Sequence, residues 1–96
     1  MKNDLDLARE EINICDEQLI KLFKRRMNAS KKVALYKIKN NMEILDSKRE
    51  ELLKEKNLKI LNDKELEKYY LEFLEGILKA SKHYQKDLMN KWKNML

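Results

Sequence analysis

The chain has 96 residues, 41% of them charged and 43% hydrophobic, with one glycine, no proline and a formal net charge of +5. This composition excludes a β-rich fold, which needs turn residues every few positions, and one cysteine with one histidine excludes an internal disulfide or a usual metal site. No apolar run reaches the length of a membrane span and no basic-then-apolar leader opens the chain, so the expectation is one all-α domain over residues 1–96, cytoplasmic and off the membrane.

The first element is a helix from about Asp4 to Ile38. Its apolar positions Leu5, Ala8, Ile12, Cys15, Leu19, Leu22, Phe23, Ala29 and Val33 recur at spacings of three and four, the mark of one helical face. At ~1.5 Å per residue it is about 50 Å long, longer than a domain of this size is wide. Such a helix cannot cover its own stripe, which implies a second chain and most simply a twofold homodimer. Cys15 on this stripe reads as core.

Asn40 and Asn41 mark a loop. A second helix starts near Asp46, which can cap it; Ser47 followed by Glu50 offers an overlapping capping-box alternative. Its apolar residues are Leu52, Leu53 and Ile60. Asn62 and Asp63 form the next break. A third helix begins near Glu65, with Leu66, Tyr70, Phe73, Ile77, Ala80, Tyr84 and Leu88 on its stripe, and continues through Trp92 toward the end. Gly76 inside it either permits a close helix contact or is simply tolerated. His83 lies off the stripe and reads as solvated.

At roughly 100° per residue, Lys24, Arg25 and Lys32 fall away from the first helix's stripe, whereas Arg26 and Lys37 fall near its centre. A buried cation is costly unless paired. The helical neighbours of Arg26 are Leu22, Phe23, Ala29 and Ser30, and those of Lys37 are Val33, Ala34, Asn40 and Asn41, none of them acidic. The readings that remain are pairing with acids from another helix, snorkelling of the stems, or a cavity built for an anion. The second helix repeats the pattern: Arg49 lies within the face of Leu52, Leu53 and Ile60, with Glu50 and Asp46 at its edge. The third adds Ser81 on its stripe and Gln85 at its border, one turn apart. Arg9 lies ~25 Å from Arg26 along the axis and is rotated by about 100° from it. It cannot serve the same pocket within one chain, but in a dimer it can reach the partner's.

The spacing Arg9, Arg26, Lys37, Asp46, Arg49, Glu50, Ser81 and Gln85 resembles that of the all-helical chorismate mutases. "LAREEINICDEQLIKLFKRRM" is similar to that family's first helix and "ILDSKREELL" to its second. The resemblance runs ungapped from about Leu5 to Glu50, needs a one-residue adjustment before Ser81, and covers about Asp4 to Leu88. It implies three helices per chain, an intertwined homodimer with two active sites, and rearrangement of chorismate to prephenate on the route to phenylalanine and tyrosine, without cofactor or metal. It further implies that Arg26, and Arg9 from the other chain, bind substrate carboxylates. Lys37 would meet a carboxylate and the ether oxygen, and Gln85 would donate to that oxygen. Glu50, with backbone near Asp46, would hold the substrate hydroxyl, and Arg49 and Ser81 would complete the lining. Residues 89–96 would be a helical extension.

Two rival readings stand beside this one. Isochorismate pyruvate-lyases are similar in fold and bind a close analogue. A non-enzymatic helical module, for instance one that binds nucleic acid, would suit the basic charge. Against it, basic residues are interleaved with acids in the second and third helices and no nucleic-acid motif is present.

Overall fold

The computed structural model describes residues 1–95; Leu96, the last residue of the expected extension, lies outside them. Three helices form: α1 (Asp4–Lys39), α2 (Ser47–Leu61) and α3 (Glu67–Met95), with one 3₁₀ turn, Lys64–Leu66, leading into α3. Among the described residues there is no strand, as the composition requires.

The ends of α1 are written in its sequence. Asn3 caps the start, its side chain accepting from the Asp6 amide at 2.9 Å, and Asp4 and Asp6 complement the positive end of the helix dipole. At the other end Asn41 takes a left-handed conformation (φ 53°). The Met42 amide then bonds back to the Lys37 carbonyl at 2.8 Å and the Asn41 amide to the Ile38 carbonyl at 3.4 Å. This is a Schellman stop, with asparagine where glycine is more common. It reverses the chain just beyond Lys39.

Asp46 caps α2, its carboxylate accepting from the Arg49 amide at 3.0 Å; the alternative cap at Ser47 is not used. A left-handed Asn62 (φ 48°) ends α2, and the Asp63 carboxylate collects the Glu65 and Leu66 amides at 3.1 and 3.3 Å. That turn delays α3 to Glu67, two residues after the expected start, because Asp63 caps a tighter turn first.

The core is small: Ala34, Ile44 and Leu74 are its buried apolar residues. Ala34 on α1 is fully inaccessible. The α2–α3 seam has a polar contact, Asn57 Nδ2 donating to the Tyr70 hydroxyl at 2.8 Å.

The facing of α2 needs correction. The α2 face turned inward carries Glu50, Leu53, Asn57 and Leu61, while Leu52 and Ile60 are exposed, and so is Arg49. Arg49 therefore sits at the rim and Glu50 inside, the reverse of the sequence reading. The Asn57–Tyr70 bond marks the side that faces α3, and Leu53, Leu58 and Leu61 are half-buried. Cys15, on the α1 stripe, is exposed in the single chain like the rest of that stripe. Of the two readings of Gly76 the tolerated glycine fits, since a Cβ built on it meets nothing within 4 Å.

The chain is elongated, 61 × 29 × 15 Å, with a radius of gyration of 17.3 Å; a compact domain of this length has about 12.5 Å. It exposes 8390 Å², against about 5,900 Å² for a compact monomer of this mass. Much of the excess is apolar: Leu5, Ile12, Leu19, Leu22, Phe23 and Val33 on α1 are all exposed, as the overlong stripe predicts. No helix of the described residues is long and apolar enough to cross a membrane.

Candidate functional site

The C-terminal half of α1, the start of α2 and the middle of α3 enclose a cleft of about 170 Å³, the scale of a single ring-sized ligand. Arg26, Lys37, Asp46, Arg49, Glu50, Ser81 and Gln85 all line it. Of the candidate residues only Arg9 lies elsewhere, exposed near the start of α1. Val33, Ile44, Leu53 and Leu78 supply the apolar wall.

The inner wall is a hydrogen-bonded cluster across α1 and α3. Arg26 donates from its NH1 nitrogen to Ser81 Oγ at 2.9 Å, and Ser81 and Ser30 share a hydroxyl bond of 2.6 Å. One turn further along α3, Gln85 Nε2 donates to the Ser30 carbonyl at 2.9 Å. Ser30, Ser81 and Gln85 are all buried. A buried polar group is stable only when bonded, and these three satisfy one another. The bond to Ser30 also fixes how the Gln85 amide points. A main-chain carbonyl only accepts, so the nitrogen must face it, and its second hydrogen has no protein acceptor among the described residues.

Lys37 is held from the other side. Its Nζ donates to the Ile44 carbonyl at 3.0 Å, a contact made possible by the chain reversal at Asn41. No carboxylate of the described residues lies within ion-pair distance of Arg26, Lys37 or Arg49. The expectation of inward cations without resident counter-ions therefore holds for Arg26 and Lys37, which are half-buried. Arg49 is exposed at the rim.

Glu50 has a different environment. Its Oε1 accepts from Lys82 Nζ at 3.0 Å, joining α2 to α3 across the mouth. Four cationic side chains (Arg26, Lys37, Arg49 and Lys82) and two carboxylates (Asp46 and Glu50) line the cleft, an excess of two positive charges. Such a site suits a small dianion. Among the described residues no group of three or more His, Cys, Asp or Glu could hold a metal ion.

Sequence reasoning missed Ser30 and Lys82. Both left a signal: Ser30 is one turn from Arg26, and Lys82 sits between Ser81 and Gln85, three residues before the latter and so on its side of the helix.

Comparison with known proteins agrees with this geometry. Residues 8–86 match the family described as chorismate mutase type II. The chain is 39% identical over 100 residues to a bifunctional chorismate mutase/prephenate dehydratase of Buchnera aphidicola subsp. Baizongia pistaciae, covering 97% of this chain and 27% of that protein. The proteins of the same name from Buchnera aphidicola subsp. Schizaphis graminum and subsp. Acyrthosiphon pisum are 37% and 33% identical, over 97% and 96% of this chain and 24% of each relative. The chain thus spans about a quarter of the length of these relatives. No solved structure matches it significantly. With most of its length matched by the family, its helices in the expected order and its polar residues gathered on one cleft, the chain belongs to the chorismate mutase type II family.

Proposed function

We propose that residues 1–96 form a single chorismate mutase domain, with its core at about 4–88 and a helical extension after it, which rearranges chorismate to prephenate in phenylalanine and tyrosine synthesis. The observation that carries the reading is the pair of inward cations, Arg26 and Lys37, with no protein carboxylate within reach among the described residues. Chorismate is a dianion, and the charge excess of the cleft matches it.

The reaction is intramolecular: an ether C–O bond breaks as a C–C bond forms, and no proton need be transferred. Catalysis then has two sources. The walls hold the substrate in its compact reactive conformer, and donors meet the negative charge that grows on the ether oxygen. Arg26 binds one carboxylate. Lys37 meets a carboxylate and the ether oxygen, exchanging its bond to the Ile44 carbonyl for the ligand, and the free N–H of Gln85 meets the same oxygen. Glu50 accepts from the substrate hydroxyl beside the backbone of Asp46, and Arg49 and Ser81 complete the lining. Lys37 and Gln85 raise the rate to the extent that they bind the transition state more tightly than the substrate.

The working unit is a homodimer, with Arg9 of each chain reaching the other's cleft. The surface left open by the single chain, about 2,500 Å² beyond that of a compact monomer, is on the scale that obligate dimers bury. An apolar groove of about 570 Å³, lined by Leu19, Ile20, Leu22, Phe23, Phe73 and Ile77, runs along the exposed side of α1 and suits a second helix.

The test is incubation with chorismate and, separately, with isochorismate, identifying products. Prephenate from chorismate supports the reading. Pyruvate and salicylate from isochorismate, without prephenate from chorismate, would replace it with the lyase.

A further inference from the structure

Glu50 is assigned to the substrate hydroxyl, yet one of its two oxygens is already engaged: Lys82 Nζ lies 3.0 Å from Oε1. Both side chains are largely shielded, at 33% exposure for Lys82 and 21% for Glu50, and both line the cleft. A carboxylate has about four acceptor positions, so this pair leaves Oε2, which has no protein partner among the described residues, able to accept a ligand hydroxyl. Lys82 also decides the electrostatic balance. Without it, three cations would face two carboxylates, and the excess of positive charge would fall from two to one.

We infer that Lys82 is a positioning residue for this site: its ammonium holds Glu50 Oε1 across the mouth of the cleft, presents Oε2 to the substrate hydroxyl, and supplies the charge that matches the cleft to a dianion. The inference rests on the reading of the cleft as a chorismate site. The hydroxyl sits on the ring carbon next to the one whose C–O bond breaks, but its own bond is kept through the step, so most of its contact with Glu50 is made in the bound substrate and the transition state alike. Uniform binding of that kind sets KM and leaves kcat alone.

The experiment is steady-state kinetics on chorismate for the whole chain, its Lys82→Met and Lys82→Arg variants, Glu50→Gln, and Glu50→Gln/Lys82→Met. Methionine keeps the unbranched stem, and circular dichroism with thermal melting reports that the fold persists. Lys82→Met is expected to raise KM about tenfold with kcat within about threefold of the parent. Lys82→Arg should restore KM, and the KM effect of Lys82→Met should shrink in the Glu50→Gln background, because the lysine acts through the carboxylate. A folded Lys82→Met variant with the parent's KM, or an equal KM rise in both backgrounds, overturns the inference while leaving the chorismate reading intact. If the unmodified chain turns over no chorismate, both fall together.

Discussion

Gln85 and Ser30 are joined across the α1–α3 seam, the Gln85 amide donating to the Ser30 carbonyl at 2.9 Å. The bond turns the glutamine nitrogen into a fixed donor with one hydrogen committed to protein and one free. An amide does not titrate over ordinary pH, so that donor is always present. Replacing it by an acid makes the donor conditional. In Gln85→Glu, only the protonated acid can donate to a ligand oxygen. Turnover of chorismate in that variant is expected to be confined to acidic pH, falling about tenfold per pH unit above the pKa of the introduced acid. A flat pH profile for Gln85→Glu would refute a catalytic contact.

Lys37→Ala removes the ammonium that the Ile44 carbonyl now holds. Loss of an electrostatic donor to a developing charge costs on the order of 10²–10³ in rate or more, and helical content should be unchanged. Chorismate consumption at the parent's rate in a folded variant would contradict the assignment.

Arg9 lies outside the cleft of its own chain, so its role is tested by mixing. Arg9→Ala and Lys37→Ala homodimers should each be nearly inactive. After unfolding and refolding together in equal amounts, half of the dimers are mixed and each mixed dimer holds one intact site. Recovery of about a quarter of the parent's activity is the expected outcome. No recovery, with mixed dimers demonstrated by mass, would remove Arg9 from the partner's site.

Asp46 caps α2 through its side chain, and in the proposed site it contributes through its backbone. Asparagine caps a helix about as well as aspartate, whereas alanine costs about 1 kcal/mol. Asp46→Asn should therefore keep both the melting temperature and the activity, and Asp46→Ala should lower the melting temperature by several degrees. A large loss of activity in Asp46→Asn would show that the carboxylate itself meets the substrate.

Much of the architecture was legible along the chain. Asn41, Asp46 and Asn62 each act on a backbone within a few residues, and local capping chemistry does not depend on what packs nearby. The length of α1 is likewise local, since nothing between Asp4 and Lys39 breaks a helix. The angular position of Arg26 and Lys37 followed from the helical repeat alone, because their neighbours on α1 are apolar enough to define a face.

The facing of α2 was different. Its leucines and isoleucine suggested one side, and packing chose another, because the Asn57–Tyr70 bond is an interaction with α3 that periodicity within α2 does not register. By itself, the sequence determined three capped helices, an overlong apolar stripe and two inward cations on α1. Only the tertiary structure decided that the Ser30 and Ser81 hydroxyls bond to each other, that Gln85 is aimed by a main-chain carbonyl, and that Glu50 meets Lys82. Each of these joins residues more than 30 positions apart, and such a pairing depends on how two helices cross, which no single helix's pattern contains.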